Sequence, residues 1–259
     1  MAEDAYGTRK RLEFVSSVVA ARRPRRVLDI GCGTGEQLTF PLAQAHSDAR
    51  FLGVDPDEHS IEHAQRSFAR PNLEFSLAAE LPDAERFDLV VASEVLEHVE
   101  SPGEFLRGLV ERLNPGGAIV LTVPNGFGPF ELGSLAESLL AQVLPIGRGE
   151  RAGPDTLAVS PHINFFSWGR LRAALAAAGL AVREHRNRTV ACGFGFDYLV
   201  RGQRLIGWNA RFADRLPEWC VSDWMMVLEP AGVREGGREY HRGAYARLRR
   251  WLNERLLRQ

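Results

Sequence analysis

The sequence predicts an α/β fold in which a mostly parallel sheet carries helices on both faces. Short apolar runs of the length of buried strands recur along the chain. Segments with helical periodicity separate these runs, and the connections are short, which is typical of βαβ units. The first clear apolar run ends in a glycine-rich turn, as strands that lead into a ligand-binding loop often do.

The elements follow one another in regular order. The predicted strands lie near residues 26–30, 50–54, 73–77, 87–92, 117–123, 181–186 and 223–229. The predicted helices lie near Glu13 to Ala21, Glu36 to Ala45, Glu58 to Ala69, Pro102 to Leu113 and Ser167 to Ala178. The turn Asn114-Pro115-Gly116-Gly117 precedes the fifth strand. No internal repeat divides the chain, so we expect one domain with insertions.

The most informative stretch is the end of the first strand with its turn, Val27-Leu28-Asp29-Ile30-Gly31-Cys32-Gly33-Thr34-Gly35. Glycine allows positive φ and leaves no Cβ where a ligand must lie against the main chain. We expect this turn to bind a nucleotide-like ligand, with Asp29, Gly31, Cys32 and Gly33 in the site. Cys32 suits the turn through its small size, and we do not expect it to act as a nucleophile.

The spacing of the glycines narrows the ligand class. A dinucleotide fingerprint reads G-x-G-x-x-G and places the pyrophosphate on a helix N-terminus, whereas this loop reads G-x-G-x-G. Glu36 stands where the third glycine would fall, and its carboxylate would repel a pyrophosphate but suit an ammonium group. The loop also lacks the Gly-Lys-Ser/Thr ending of a P-loop, which disfavours nucleoside triphosphates.

This loop resembles motif I of the class I S-adenosylmethionine-dependent methyltransferases. The string Glu94-Val95-Leu96-Glu97-His98-Val99 is similar to the subgroup that includes the O-methyltransferases of ubiquinone biosynthesis and many natural-product methyltransferases. The resemblance is close over residues 25–125 and loose over residues 160–185. It implies a Rossmann-like, doubly wound sheet of seven strands with the last one antiparallel. It also implies S-adenosylmethionine as cofactor and methyl transfer to a small molecule, most often to oxygen.

Asp55 is the candidate for holding the ribose of that donor. It ends the second strand about 20 residues past the glycines, where an acidic residue can accept hydrogen bonds from ribose hydroxyls. Pro56 follows it in the predicted site. The alternative role for Asp55 is to cap the helix that starts at Glu58, and the two roles can coexist.

Recognition of adenine departs from the family pattern. The third strand of the family commonly ends in an Asp that meets the adenine amino group, and this chain has Ala78 at that position. The resemblance then assigns the adenine to the backbone near Ala79 and to Glu80. Ser93 and Glu94, at the end of the fourth strand, complete the predicted donor site.

Two histidines are candidates for catalysis. Methyl transfer needs mainly in-line positioning, helped by a base when the acceptor is a hydroxyl. His162 lies where the chain returns from an insertion, and similar His-x-x-Phe segments recur in the resembling subgroup; His98 follows the fourth strand. With an ordinary pKa, either would be largely neutral and able to accept a proton. For both residues the alternative is a structural hydrogen bond.

A metal site is the other possibility at this place in the sequence. Glu94, Glu97 and His98 are spaced to share one helical face and could bind a divalent cation. The same carboxylates can instead hold the amino group of the donor, so we predict no metal ion.

The predicted domain has a core, two insertions and a tail. These are the core over 22–123 and 162–230, a lid insertion over 124–161, an aromatic insertion over 188–223 and a basic helical tail over 231–259. The first insertion is longer than most structureless connections and is rich in glycine and proline. It predicts a hinged lid around a helix from Leu132 to Leu144, mobile without ligands and ordered when donor and acceptor are bound.

The aromatic insertion and the tail carry most of the remaining apolar side chains. The aromatic residues either bury one another or form an apolar wall for a flat acceptor. They are Phe194, Phe196, Tyr198, Trp208, Phe212 and Trp219. In the tail, helical spacing among many arginines predicts an amphipathic helix with an apolar face of Tyr245, Leu248, Trp251, Leu252 and Leu256. It would pack on the parent domain or a homodimer partner, or contact an anionic membrane surface.

Composition limits the partners and the compartment. A formal net charge of −1 at pH 7 disfavours a nucleic-acid binder that relies on bulk positive charge. The cysteines are Cys32, Cys192 and Cys220, and with no signal peptide or membrane-length apolar segment they favour a cytoplasmic protein. Two function classes remain: a small-molecule methyltransferase, and a non-catalytic regulatory or interaction module that keeps the nucleoside pocket. The glycine loop, Asp55 and the predicted lid favour the enzyme.

Overall fold

The structure is a computed structural model that describes residues 7–129, 131–133, 162–190, 202–232 and 237–257. The helices are α1 (Thr8–Arg22), α2 (Thr39–Ala45), α3 (Glu58–Ser67), α4 (Pro102–Glu111), α5 (Trp168–Ala177), α6 (Gln203–Ala213) and α7 (Ala244–Leu257). The strands are β1 (Arg26–Ile30), β2 (Arg50–Asp55), β3 (Leu73–Leu77), β4 (Phe87–Ser93), β5 (Leu113–Pro124), β6 (Leu180–Asn187) and β7 (Asp223–Pro230). Single 3₁₀ turns follow β3 at Ala78–Glu80 and precede β7 at Glu218–Cys220.

The strands form one seven-stranded sheet in the order β3-β2-β1-β4-β5-β7-β6. Strand β7 is antiparallel to both of its neighbours, β5 and β6, and the remaining pairs are parallel. The predicted fold class is confirmed. The winding of the sheet reverses between β1 and β4, and a crevice for ligands is expected at the carboxyl ends of these two strands.

The core lies on both faces of the sheet, because neighbouring residues of a strand point to opposite sides. In β1, Val27 belongs to one buried cluster and Leu28 to the other. Helices α1, α2 and α3 cover the first face, and α4 and α5 cover the second. A sheet covered on both faces holds its strand ends in fixed positions, so the residues that follow them can form a defined site.

Three predicted boundaries are wrong in detail. Helix α2 begins at Thr39, three residues after the predicted start at Glu36, because Gly35 adopts a left-handed φ of 73° and the turn continues to Leu38. Helix α1 begins at Thr8, ahead of the predicted Glu13, since Arg9 pairs with Glu13 and Lys10 with Asp214. Strand β5 includes the predicted turn Asn114 to Gly117.

The tail packs on its own chain, through only part of the predicted apolar face. Tyr245 of that face stacks on Phe127 with ring centroids 4.8 Å apart, but Leu248 and Trp251 are 53% and 46% exposed. Among residues 244–251 of α7, the buried positions are Ala246 and Arg249, each 2% exposed. Arg249 was not expected to be buried, because its acidic partner inside the protein gives no local sequence pattern.

The insertions are described only in part. Most of the predicted lid lies outside the described residues, including all of the predicted helix from Leu132 to Leu144 except Leu132 and Gly133. Cys192, Phe194, Phe196 and Tyr198 also lie outside the described residues. Trp208 stacks on Phe212 with ring centroids 4.9 Å apart, yet Trp208 is 53% exposed and Trp219 is 73% exposed. These two tryptophans are therefore not buried by the other described aromatic residues. Within the described ranges, no helix has both the length and the apolar composition needed to span a bilayer.

Candidate active site

The glycine turn after β1 requires glycine for two different reasons. Gly31, Gly33 and Gly35 all have positive φ, at 74°, 54° and 73°. A Cβ on Gly31 would lie 2.5 Å from the side chain of Val95, and one on Gly35 would lie 2.5 Å from the ring of Phe75. Gly31 and Gly35 therefore allow the side chains of Val95 and Phe75 to pack directly on the backbone of the turn. Val95 also shows that the turn after β4 lies directly against the glycine turn.

Gly33 differs, because its missing side chain faces space that no described atom fills within 4 Å. Its N–H donates to Oδ2 of Asp55 over 2.8 Å. The other oxygen of Asp55, Oδ1, accepts from the N–H of Asp57 over 2.9 Å. A carboxylate oxygen has a second lone pair, so both can still accept from a ligand. Gly33 and Asp55 together form a cradle that a flat, hydroxyl-bearing group can enter.

The alternative role of Asp55 as a helix cap belongs instead to Asp57. Oδ2 of Asp57 accepts from the backbone N–H of Ser60 over 3.0 Å and from its hydroxyl over 2.6 Å. These hydrogen bonds lower the pKa of Asp57. Asp57 therefore caps the start of α3. Asp55 instead holds the glycine turn and forms one side of the cradle.

Asp29 and Cys32 support the turn from the inside. Asp29 is buried and accepts a 2.7 Å hydrogen bond from Thr39 Oγ1 at the start of α2. Burial raises the pKa of Asp29 to about 6, against the hydrogen bond from Thr39 and the charge of Arg11. Burial also raises the pKa of the Cys32 thiol, which keeps it protonated and unsuited to nucleophilic chemistry.

The residues predicted for adenine lie at the exposed rim. Ala79 is exposed, as is Pro56 after β2. Glu80 Oε2 accepts from the hydroxyl of Ser76 over 2.7 Å and from the N–H of Leu77 over 3.3 Å. The Glu80 carboxylate therefore turns back to hold the end of β3, and its assignment to adenine stays a prediction.

The end of β4 carries the residue with the most unusual backbone. Glu94 has a φ of 58°, and Arg23 is the one other described non-glycine residue with positive φ. Such a conformation costs about 1–3 kcal/mol and is found where surrounding contacts enforce it. Glu94 Oε1 accepts a 2.7 Å hydrogen bond from Thr122, whose oxygen lies 2.9 Å from the hydroxyl of Ser93.

A buried arginine holds the other side of Glu94. Arg188 Nη1 lies 3.3 Å from Glu94 Oε2, and its Nη2 donates to Asp223 Oδ1 over 3.0 Å. Burial raises the pKa of Glu94, but Arg188 and Arg11 outweigh it and the net shift is downward. For Asp223, burial and the charge of Glu94 outweigh Arg188 and raise the pKa to about 7. Arg188 and Asp223 were not predicted as site residues.

Three further groups meet beside Glu94. The Glu97 carboxylate is buried, and neither of its oxygens has a hydrogen-bond partner among the described atoms. His98 Nε2 lies 3.7 Å from Glu97 Oε1, and the rings of His98 and His162 are 4.9 Å apart. The backbone N–H groups of Ile163 and Asn164 both donate to the Glu97 carbonyl, which brings the two distant segments together. Burial, with the charge of Glu94, raises the pKa of Glu97 to about 8.

His162 is held by a residue from the first insertion. Its Nδ1 lies 2.5 Å from Oε1 of Glu131, and its side chain is 24% exposed. Burial lowers the pKa of His162, but the hydrogen bond and charge of Glu131, with the charges of Glu97 and Glu94, raise it to about 9. The expectation of an ordinary pKa is wrong, because the sequence gives no sign that these carboxylates converge.

The structure brings the predicted residues into two groups. The first group lies around the cradle and consists of Gly31, Gly33, Asp55 and the buried Asp29. The second group lies around the end of β4 and consists of Glu94, His98 and His162. One ligand atom from each of Glu97, His98 and His162 falls within a 4.8 Å span, which a divalent cation could bridge. This set differs from Glu94, Glu97 and His98, which the sequence analysis considered and did not predict as a metal site, since Glu94 is held by Thr122 and Arg188.

Comparisons with known proteins identify the family of the chain. A family model described as a methyltransferase domain matches residues 3–185. The chain is 44% identical over 105 residues to a ubiquinone biosynthesis O-methyltransferase of Azorhizobium caulinodans, covering 39% of this chain and 40% of that protein. It is 36% identical over 132 residues to the human mitochondrial ubiquinone biosynthesis O-methyltransferase, covering 47% and 35%. It thus spans less than half the length of either relative.

Solved structures share the fold at low sequence identity. Magnesium protoporphyrin IX methyltransferase from Synechocystis, with bound SAH, aligns with a TM-score of 0.53 at 18% identity, covering 86% of this chain and 83% of that one. The [4+2]-cyclase SpnF aligns with a TM-score of 0.51 at 18% identity, covering 85% and 81%. A cyclase among these neighbours means that the fold does not fix the reaction, which must be argued from the site.

Proposed function

The chain belongs to the methyltransferase domain family, and on this premise we propose that it transfers a methyl group from S-adenosylmethionine to a hydroxyl of a small molecule. The observation that supports the proposal is that two unlike groups of residues follow β1, β2 and β4, at the sheet edge where the strand order predicts a ligand crevice. The donor side consists of the cradle of Gly33 and Asp55. The acceptor side consists of Glu97, His98, His162 and Glu131. Val95, which packs on Gly31, joins the two sides.

The donor side suits S-adenosylmethionine in shape and in charge. Both oxygens of Asp55 can accept hydrogen bonds from ribose hydroxyls, and Gly33 lets the nucleoside lie against the main chain. The donor brings a sulfonium and an ammonium group, which are cations. Glu94, whose pKa is lowered, adds a negative charge to this side that suits these cations, and it shares that charge with its partner Arg188.

The acceptor side supplies a base for a hydroxyl. A nitrogen of His162, Nδ1, donates to Glu131, and this leaves Nε2 to accept the proton of the acceptor. When S-adenosylmethionine is bound, it supplies an activated methyl group: the bond from carbon to sulfur breaks as the bond from carbon to oxygen forms. His162 holds the released proton on Nε2, and Glu131 stabilises the resulting imidazolium. His98, next to this ring, orients the acceptor in a lesser role.

The use of a histidine as the base favours an acidic hydroxyl as the acceptor. Proton transfer is efficient when donor and base have similar pKa values. A phenolic hydroxyl, whose pKa is about 10, gives its proton to an imidazole far more readily than an aliphatic alcohol does. We therefore propose a phenolic small molecule as the acceptor. The names of the relatives, which are O-methyltransferases, support oxygen as the acceptor atom.

We propose that this reaction needs no metal ion. Glu131 already holds His162 through its Nδ1. Burial raises the pKa of Glu97, and Glu131 raises that of His162, so a cation would compete with protons at both groups. The observation that favours a cation is the Glu97 carboxylate, which has no hydrogen-bond partner among the described atoms, so removal of metal is one of the tests given below.

A direct test is a screen for product. The full chain is incubated with S-adenosylmethionine and phenol, catechol or resorcinol, and with cyclohexanol as an aliphatic control. We expect S-adenosylhomocysteine, together with an acceptor heavier by one methylene, from at least one phenol and none from cyclohexanol. Binding of S-adenosylmethionine without turnover of any acceptor would favour the alternative, a non-catalytic module. Cytoplasmic localisation, a homodimer and the absence of a nucleic-acid partner stay predictions.

A further inference from the structure

We propose that Arg249, in the C-terminal helix α7, is a positioning residue for the active site. It holds Glu131, and Glu131 orients His162. The inference rests on the function proposed above, because His162 has a catalytic role only if that function is correct. The sequence predicts that the basic tail forms an amphipathic helix that packs through its apolar face. The proposal assigns this helix a role in the active site as well.

The first argument is that Glu131 is shared between two partners, one for each oxygen. Oε1 lies 2.5 Å from His162 Nδ1, and Oε2 accepts from Arg249 Nη2 over 3.0 Å. Glu131 is separated by 31 residues from His162 and by 118 residues from Arg249. With both oxygens engaged, the plane of the carboxylate is fixed, and the ring of His162 is fixed with it.

The second argument is that packing alone does not explain a buried arginine here. The side chains of Arg249 and Glu131 are each only 2% exposed. Removing both charges from water costs more than a surface pair would, and a buried ion pair is commonly no more stable than apolar residues of similar size. Leu248, next to Arg249, is left 53% exposed. The helix thus presents its arginine, and not its leucine, to the acceptor side.

The third argument is that the tail contacts the same segments that carry the site histidines. Tyr240 accepts at its hydroxyl from the N–H of Phe165, three residues after His162. Arg242 donates to Asn164 Oδ1 over 3.0 Å and pairs with Glu100, two residues after His98. The guanidinium of Arg249 also lies 5.4 Å from the centroid of the Phe165 ring. These contacts place α7 across the back of the acceptor side.

The test compares three variants of the full chain: Arg249→Met, Arg249→Lys and, as a control on the same helix, Arg247→Met. Arg247 is exposed, and its guanidinium donates to the carbonyl of Arg242, away from Glu131 and His162 in the sequence. With catechol as acceptor, we expect Arg249→Met to lower kcat roughly 10- to 100-fold while the Kd for S-adenosylmethionine is unchanged. Arg249→Lys should recover part of the rate, and Arg247→Met should match the wild type.

A second readout does not need turnover. In proton NMR of the protein without ligands, the Nδ1 proton of His162 should give a downfield resonance, assigned by its loss in His162→Ala. Arg249→Met should shift or remove this resonance, and Arg247→Met should not. If Arg249→Met does not fold, the resonance and kcat of Arg249→Lys carry the test.

The proposal is overturned if the Arg249 variants fold and leave both the resonance and kcat as in the wild type. It is also overturned if Kd for the donor rises as much as kcat falls, because that indicates a general loss of structure. If the wild type turns over no acceptor but the resonance responds to Arg249, the proposed function fails while the positioning of His162 by Arg249 holds.

Discussion

The proposed donor side is formed by two short segments at neighbouring strand ends, whereas the proposed acceptor side gathers residues from four distant parts of the chain. On the donor side, Gly33 and Asp55 join through one hydrogen bond between the ends of β1 and β2. On the acceptor side, Glu97, Glu131, His162 and Arg249 meet only when the insertion and the tail are in place. The first arrangement depends on local backbone geometry, and the second depends on tertiary packing and on the balance of buried charges.

The largest expected effect separates the chemistry of the acceptor side from donor binding. His162→Ala should lower kcat with catechol roughly 10²- to 10⁴-fold, the usual range for a general base. The Kd for S-adenosylmethionine, measured by calorimetry, should stay as in the wild type, because the ribose is assigned to Asp55 and His162 is assigned to the acceptor. His98→Ala should have a smaller effect on kcat. If His98→Ala abolishes turnover while His162→Ala does not, the two roles are exchanged.

Replacement of Asp55 should weaken donor binding, whereas replacement of His162 should slow the chemical step. Asp55→Ala removes hydrogen bonds to ribose worth about 1.5–3 kcal/mol each, so the Kd for S-adenosylmethionine should rise about 10-fold or more. Asp57→Ala is the matched control, since Asp57 caps α3 through Ser60. It should cost about 1 kcal/mol of unfolding free energy and leave the Kd unchanged. An unchanged Kd in Asp55→Ala would remove Asp55 from the donor site.

The pH dependence of kcat/KM tests whether Glu131 raises the pKa of His162. The base must be unprotonated, so kcat/KM of the wild type should rise with pH until it levels off above the pKa of His162, about 9. Glu131→Gln removes the hydrogen bond to a carboxylate and the charge that raise this pKa. The inflection should then move to lower pH, and the plateau should be lower because the imidazolium loses its support. An inflection that stays at the same pH would mean that another group titrates.

The smallest expected effect is that of metal removal. After dialysis against a chelator, kcat should stay within about twofold of the untreated protein, because a cation would compete with protons at both Glu97 and His162. Activity that disappears on chelation and returns with a divalent ion would show that the acceptor side is a metal centre built on Glu97, His98 and His162.

The same contrast explains what the sequence could predict. The strands, the glycine turn and Asp55 were predicted because apolar runs, glycines and strand-end acids are local signals, and the sheet confirms their arrangement. Even there, the start of α2 was misplaced, because Glu36 is compatible with a helix while the turn geometry extends to Leu38.

The acceptor side was predicted only in part. His98 and His162 were predicted as candidates, but the charged residues that the structure places around them were not. Glu131 lies in an insertion without a recognisable pattern, and Arg249 lies on a helix whose apolar spacing predicts burial of Leu248 and Trp251 instead. Arg188 likewise gives no local signal that it pairs with Glu94 and Asp223. Buried charges with partners more than 30 residues away cannot be read from periodicity, because their burial depends on the partner.

The most direct test of the two-sided crevice is a crystal structure of the full chain with S-adenosylhomocysteine. We expect the nucleoside to lie along Gly33, with its ribose hydroxyls about 2.7–3.2 Å from the Asp55 carboxylate. The sulfur should point toward the acceptor side, where Glu97 and His162 lie. A ribose away from Asp55, or a sulfur that faces away from His162, would contradict the account.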